Sequence, residues 1–440
     1  MSHQRVDCIW FEEGNMSKIT SIAALCAACA CGQDPLALRD AVKLALSRHQ
    51  AIAAADAAVR AAGSRVQQAR GGYLPKIQYS EVYTRSDNPV FVFSSLLTQH
   101  RFTEANFGIH TLNRPQTLSN FQSQLGLEQN VYDGGRTRQG VRAAELGRDL
   151  SAEQSRRAQM DVVAGVVRAY YDAVLTEQSL HTADEAVRSA QADVNRAKAV
   201  RQAGMSTDAD VLSMEVHLAG VREKQIRRRA DLNVARAALN DALGLPLDTA
   251  HRLSGALIPA PLPDEEVREY ETAALEQRPE ARQTRLAASL AETQTSAARA
   301  SLLPEVFVRG VFEADRERFV TRGGANWLAS VGLRWNLFNG YADRARIEEA
   351  SFLLRRARAD RQRMDSAVRL EVRRAWEDVR SAQVRIEVAQ AAAAMAEESL
   401  RITRNRYEAG LGTVPDLLRN KTALLEARTR HLAAVYDQRM

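Results

Sequence analysis

The chain has 440 residues, a formal net charge of +6 and 26% charged residues, a length that admits two or three domains. The charges are Arg, Glu and Asp mixed along helical stretches, the habit of solvated helix faces. The short basic run Arg227, Arg228 and Arg229 has no interleaved aromatic residues to stack on bases, which argues against a nucleic-acid binder.

All four cysteines, Cys8, Cys26, Cys29 and Cys31, lie at the N-terminal end, and none follows Cys31. The last three resemble metal-ligand spacing, but no Cys or His follows to complete a site. They belong to an apolar run, Ile19 to Ala30, preceded by Lys18 and ending in the small residues Ala28-Cys29-Ala30. This predicts a secretory signal peptide over 1–30 that starts at Met16, with 1–15 an upstream extension or a misplaced start. A lipid-modified mature cysteine is the runner-up. Either way the chain is exported.

Leu36 to Arg70 reads as an Ala-rich helix broken only by Gly63, with Gly71-Gly72 and Pro75 as its stop. Strand alternation follows over Lys76 to Arg85, with Glu81 on the otherwise apolar face. Ser86 to Asn120 is a long loop, rich in Asn and Pro, with an apolar stripe from Val90 to Leu97 fit to pack or to form a short helix. Alternation returns from Phe121 and closes at Tyr132-Asp133-Gly134-Gly135. A rod begins near Arg136 with a heptad seam from Val162 to Ala197, interrupted only by Thr176. Gly204 ends the rod, Thr207 caps a return helix to about Leu243, and Pro259, Pro261 and Pro263 stiffen a connector.

The order then restarts. A helix spans about Glu265 to Ser301, with Pro279 near an early break and Pro304 as its stop. A third strand holds Val306, Val308 and Phe312, and a fourth runs from Trp327 to Leu337 with Trp327 and Trp335 on its apolar face. Tyr341 to Ala409 contains no Gly or Pro, and Val368 to Leu400 repeat the heptad seam. As one helix it would run about 100 Å. Gly126, Asn130, Gly134, Asp172, Gly204 and Asp210 recur, at one constant offset, as Gly332, Asn336, Gly340, Asp378, Gly410 and Asp416. Such a constant offset marks an internal repeat. The expected units are a first repeat over 31–247 (hairpin 76–132, helical hairpin 136–243), a connector over 248–264, and a second repeat over 265–440 (hairpin 305–338, helical hairpin 341–439).

Strands of about 10 residues with one apolar and one polar face suit a tilted crossing of an outer-membrane slab. A buried sheet in a soluble sandwich has the same faces, but the helices read as self-paired rods that leave nothing to cover it. Four strands cannot close a barrel, and open edges cannot face lipid, so copies of the chain must share one. The predicted fold class is mostly α with β: a long helical coiled-coil barrel joined to a β-barrel of four strands per protomer, with an internal tandem repeat.

The strand exits LGLEQNVYDGG (from Leu125) and VGLRWNLFNG (from Val331), and the rod turns GMSTDADVL (from Gly204) and GLGTVPDLL (from Gly410), resemble those of the TolC-type outer-membrane efflux channels. The resemblance covers essentially everything after the signal peptide. It implies a homotrimer with a 12-stranded outer-membrane barrel and a helical tunnel across the periplasm. It also implies a periplasmic adaptor and an inner-membrane pump of the RND or ABC type as partners. It makes the turns, with Gly204, Thr207, Asp210, Gly410, Thr413, Asp416 and Arg419, the candidates for gate and adaptor contact. Plain helix capping accounts for Thr207 with Asp210 and Thr413 with Asp416 as well. In the family, carboxylates of the second tip ring the tunnel mouth; Asp416 matches the first, and Arg419 stands where the next would be.

No catalytic residue, cofactor or metal ligand is expected. The eight histidines, His3, His49, His100, His110, His181, His217, His251 and His431, are scattered, and no HExxH, P-loop or GxSxG is present. The competing reading is a periplasmic coiled-coil scaffold without channel activity.

Overall fold

The computed structural model of the chain describes residues 35–262, 266–321 and 323–440. The predicted signal peptide and all four cysteines lie outside the described residues. The elements are α1 (Leu38–Arg48), α2 (Gln50–Arg70), β1 (Lys76–Ser86), α3 (Pro89–Thr98), α4 (Ile109–Asn113), β2 (Leu118–Tyr132), α5 (Arg136–Gln202), α6 (Asp208–Leu243), α7 (Val267–Gln277), α8 (Pro279–Ala300), β3 (Glu305–Arg316), β4 (Gly324–Arg334), α9 (Ala342–Glu408) and α10 (Val414–Arg439). They fall into two compact units. A tip unit joins the described residues up to Ala45 with Val166–Ile258 and Glu398–Leu432, and a sheet unit joins Leu46–Gly165, Pro259–Glu397 and Ala433–Met440.

The repeat is visible in the element bounds. α5 and α9 are each 67 residues long, and the same offset separates both their starts and their ends. A second, larger offset is common to the starts of α1 and α7 and of β1 and β3. The rods also start alike. Asp133 accepts from the Thr137 amide at 2.6 Å, and Asn339, its counterpart in the second repeat, accepts from the Asp343 amide at 3.3 Å.

The first helix breaks at His49, not at Gly63. His49 is extended and its Nδ1 accepts from the Ala51 amide at 3.1 Å, so it caps α2. Gly63 sits inside α2 with open space around it, where nothing forces a turn. Arg278 and Pro279 make the equivalent break in the second repeat.

The four strands form one antiparallel sheet in the order β1-β2-β3-β4. Tyr79, Leu125, Phe312 and Trp327 stand side by side across it on one face. That face is apolar and uncovered; Trp327 is 80% exposed, and Ile77, Val331 and Leu333 are exposed with it. A soluble sheet would bury such a face, whereas a barrel turns it to lipid. Glu81 is the charge on this face, and Arg316 meets it at 2.9 Å, with the Tyr79 hydroxyl donating to the same carboxylate at 2.7 Å. The anomaly seen in the sequence is therefore a mid-strand charge paired across the sheet with Arg316 at the end of β3.

β4 stops at Arg334, short of the predicted hairpin end at 338. Its neighbour β3 begins at Glu305, paired with Arg334, because Pro304 has no amide to extend the ladder. Trp335 instead donates its indole N–H to the Leu302 carbonyl at 3.1 Å. The long predicted loop is partly helical: the stripe Val90 to Leu97 lies within α3, and α4 follows.

The seam of the first rod is buried at Val162, Val166, Ala173, Ala183, Ala190, Val194 and Ala197. Thr176, its interruption, turns its hydroxyl back to the Asp172 carbonyl at 2.9 Å. In the seam of the second rod only Val368, Ala382 and Ile386 are deeply buried. Val372, Ala375 and Val379 line an open apolar groove with Met160, Tyr270 and Trp376. The rods are thus not wholly self-paired.

No helix among the described residues is long and apolar enough to cross a membrane.

Candidate functional site in the tip unit

Both rod turns are built the same way. Gly204 and Gly410 have φ of +75° and +74°, a conformation that costs a residue with a Cβ about 1 kcal/mol or more. Just beyond each glycine an amide reaches back into the rod: Met205 N–H donates to the Val200 carbonyl at 3.0 Å, and Leu411 N–H to the Arg406 carbonyl at 2.9 Å. This closes the orphan carbonyls of each rod. It also leaves Met205 and Leu411 74% and 72% exposed at equivalent places.

The return helices differ in their caps. Thr207 and Asp210 form a full capping box, with the Asp210 carboxylate accepting from the Thr207 hydroxyl at 2.8 Å and its amide at 3.3 Å. The Thr207 hydroxyl, the Thr207 amide and the Ser206 hydroxyl hold the Asp210 carboxyl below its ordinary range. At the second tip the Thr413 hydroxyl donates to Asp416 at 2.6 Å, and the other Asp416 oxygen faces the Arg419 guanidinium at 3.6 Å. Asp416 therefore stands beside a cation that Asp210 lacks.

A depressed carboxyl pKa stabilises the fold above the ordinary value of 3.8 and loses that contribution as the pH falls through the lowered value. Thr207→Ala is expected to cost about 1 kcal/mol near neutral pH. Melts of the variant and the parent should converge at acid pH. A gap that persists there would mean that Thr207 acts through the bond its hydroxyl accepts from the Asp210 amide and not through the carboxylate.

The four helices share one apolar core, in which Ala190, Val194 and Ala197 of α5 meet Val211, Met214 and Leu218 of α6 and Val414 and Leu417 of α10. Tyr407 of α9 packs against this core, and burial, then the Asp210 charge, push its hydroxyl pKa up. Polar groups the sequence did not single out tie the repeats together. Lys421, whose side chain is 9% exposed, is in contact with Asp193 and donates to the Ser189 hydroxyl at 3.0 Å. Arg196 pairs with Glu408, and Glu185 lies 3.9 Å from Arg428. Each of these residues looks like an ordinary surface charge in its own helix, so only the packing of α5 against the second repeat reveals it.

Residues 41–245 and 272–439 match the family model described as outer membrane efflux protein. The chain is 30% identical to protein CyaE of Bordetella pertussis over 403 residues, which cover 91% of this chain and 81% of that one. It is 25% identical to the outer membrane efflux protein BepC of Brucella suis over 391 residues, 87% of this chain and 78% of that one. Among solved structures, the CmeC outer membrane channel of Campylobacter jejuni shares the fold at a TM-score of 0.79 and 17% identity, covering 91% of this chain and 83% of that one. The uncovered apolar sheet face, the repeated rods and these matches agree: the chain belongs to the outer membrane efflux protein family, the TolC-like channels, and is an outer-membrane channel component of a tripartite export system that extends into the periplasm.

Proposed function

We propose that three copies close one duct, with the two tips of each copy forming its periplasmic gate and adaptor contact. Each copy brings four strands, and β1 and β4 are the sheet's outer members, so a closed barrel needs the β4 edge of one copy against the β1 edge of the next. Substrate moves through passively, driven by an inner-membrane pump of the RND or ABC type that a periplasmic adaptor couples to the duct; no chemistry is assigned to the chain.

The observation that carries the trimer is a pair of open heptad stripes. On α6, Leu212, Val216, Ala219, Glu223, Ile226 and Ala230 are all exposed and spaced by alternating steps of 4 and 3. On α9, Val384, Val388, Ala391, Met395, Glu398 and Ile402 are exposed with the same steps. Counted forward from Gly204 and back from Gly410, the two stripes fall on identical positions: 8, 12, 15, 19, 22 and 26. Inside the chain, Asp193 and Lys421, equally far from their tip glycines, touch, so antiparallel α5 and α10 have level tips. The same relation between α9 of one copy and α6 of the next pairs small with large, Ala219 with Met395 and Ala230 with Val384. It also sets Arg229 near Glu387 and Glu215 near Arg401 along one flank. On the other flank Arg227 faces Arg385, but each has its own acid, Glu223 and Asp437.

In a chain carrying Ala219→Cys and Met395→Cys, a short bis-maleimide is expected to give dimer and trimer bands. Oligomers trapped by a lysine cross-linker without those bands would overturn the seam and keep the trimer. A stable monomer in detergent would overturn the duct.

The gate is assigned to Thr207 and Asp210 with Tyr407, and to Thr413, Asp416 and Arg419. The adaptor contact is assigned to the tips at Gly204 and Gly410, where Met205 and Leu411 offer apolar surface to a helical hairpin.

A further inference from the structure

The segment joining β1 to β2 is a small folded body. Asn88 caps α3, accepting from the amides of Val90 and Phe91 at 3.0 and 3.2 Å. Phe93, Phe102 and Phe107 stack edge to face, with ring centroids 4.9 and 5.1 Å apart. The segment thus has apolar contacts of its own.

It nevertheless docks on the sheet, and on one particular face. Gln99, 2% exposed, donates to the Asn120 side chain at 2.9 Å and to the Ser119 carbonyl at 3.0 Å. Asn120 donates to Asp315, itself 1% exposed, at 2.5 Å. Asn326 donates to the Thr98 carbonyl at 3.3 Å, and Arg101 pairs with Glu317 at 2.8 Å. The backbone comes so close that a Cβ on Gly324 would collide with the Thr98 carbonyl oxygen, so only glycine fits there.

Strand alternation decides which face this is. Phe121 pairs with Arg316, and Phe312 with Trp327, on the apolar face. Asn120, Asp315, Gly324 and Asn326 have the opposite parity, on the polar face with Gln122, Gln124 and Ser330. In a barrel whose apolar face meets lipid, the polar face lines the pore. The docked end is also the outer one, because the other strand ends run into the helices α2, α5, α8 and α9.

We propose that residues 87–117 form a lid over the outer mouth of the pore, latched by Gln99 on Asn120 and by Asn326 on the Thr98 carbonyl, and that cargo must lift it to leave. The lid belongs to the sheet unit and is separate from the tips assigned as the periplasmic gate. It rests on the family assignment for the direction of the pore and not on the trimer seam. The bonds between lid and sheet are those of Gln99 and Asn326 and the ion pair of Arg101 with Glu317, so the latch is reversible and each contact contributes modestly.

The test places one cysteine below the lid, Gln124→Cys on the pore face, and labels it with a bulky membrane-impermeant maleimide added outside whole cells. Three backgrounds are compared: the parent, Gln99→Ala with Asn326→Ala, and a chain with 90–115 replaced by a short Gly-Ser linker. Labelling is expected to be roughly tenfold faster in the latch variant than in the parent, the effect of about one lost net hydrogen bond, and faster still without the lid. Phe319→Cys, in the neighbouring turn and outside the lid, should label at one rate in all three, which confirms display at the surface. If the lidless chain is not displayed, the latch variant alone decides. Equal rates at Gln124→Cys in displayed chains, or a parent that labels fastest, would overturn the lid.

Discussion

Lys421→Met is expected to destabilise the tip unit by about 3 kcal/mol, and adding Asp193→Leu is expected to restore most of that loss. Lys421 is nearly buried, in contact with Asp193 and bonded to Ser189, between the first repeat's rod and the second repeat's return helix. Burial pushes its ammonium pKa down to about 8, which keeps it charged at neutral pH, so the contact with Asp193 is an ion pair there. Removing the lysine alone leaves a carboxylate with little water around it and no cation, a costly state. Removing both charges leaves two apolar chains of similar size beside the Ala190 and Leu417 core, which is close to neutral. Thermal melts of the detergent-solubilised protein read the difference, and hydrogen exchange in α10 locates it. If the double variant is as unstable as Lys421→Met, the pair acts through its shape and not its charge. If the single variant is as stable as the parent, water reaches Asp193 and the pair is peripheral.

How much of this was legible in the sequence follows from the range of each interaction. The rod turns were legible because the left-handed glycine, the threonine cap and the aspartate one turn on are local, and the second repeat carries the same set. The strand faces were legible because alternation has a period of two whatever the partner strand is. The break at His49 was not, since a histidine in an Ala-rich run carries no strong stop signal and its cap is a single side-chain bond. Nor was the end of β4, which depends on Pro304, the proline just before its neighbour. The ties between Lys421 and Asp193, and between Arg316 and Glu81, each join one repeat to the other. Nothing in either local pattern marks these charges, because each becomes special only when the fold sets two helices or three strands side by side. The docking of Gln99 against Asn120 is equally unmarked in the local pattern.

Arg419→Asp is expected to give the tip a strong affinity for divalent cations, and Asp416→Ala to change its conductance with little gain in cation block. At each tip the Asp416 carboxylate lies 3.6 Å from the Arg419 guanidinium, so this turn of α10 carries no net charge. In a closed ring of three copies, replacing arginine by aspartate turns three neutral pairs into six carboxylates on successive helical turns, which face one another across the mouth. Unit charges about 8 Å apart in water interact by about 0.5 kcal/mol before screening, and a divalent ion feels twice that from every carboxylate. The summed change is enough for a roughly tenfold or larger rise in affinity for a hard divalent cation bound by oxygen. Planar-bilayer recordings with Mg2+ or Ca2+ added on the tip side measure it as block. The Asp416→Ala variant separates the two roles of that aspartate. As a gate residue it leaves three unpaired Arg419 cations at the mouth, and conductance should shift toward anions. As a cap alone it should lower thermal stability by about 1 kcal/mol and leave conductance and block as they were. If Arg419→Asp produces no block while its trimer stays intact, α10 turns this face away from the pore and the second tip does not line the mouth.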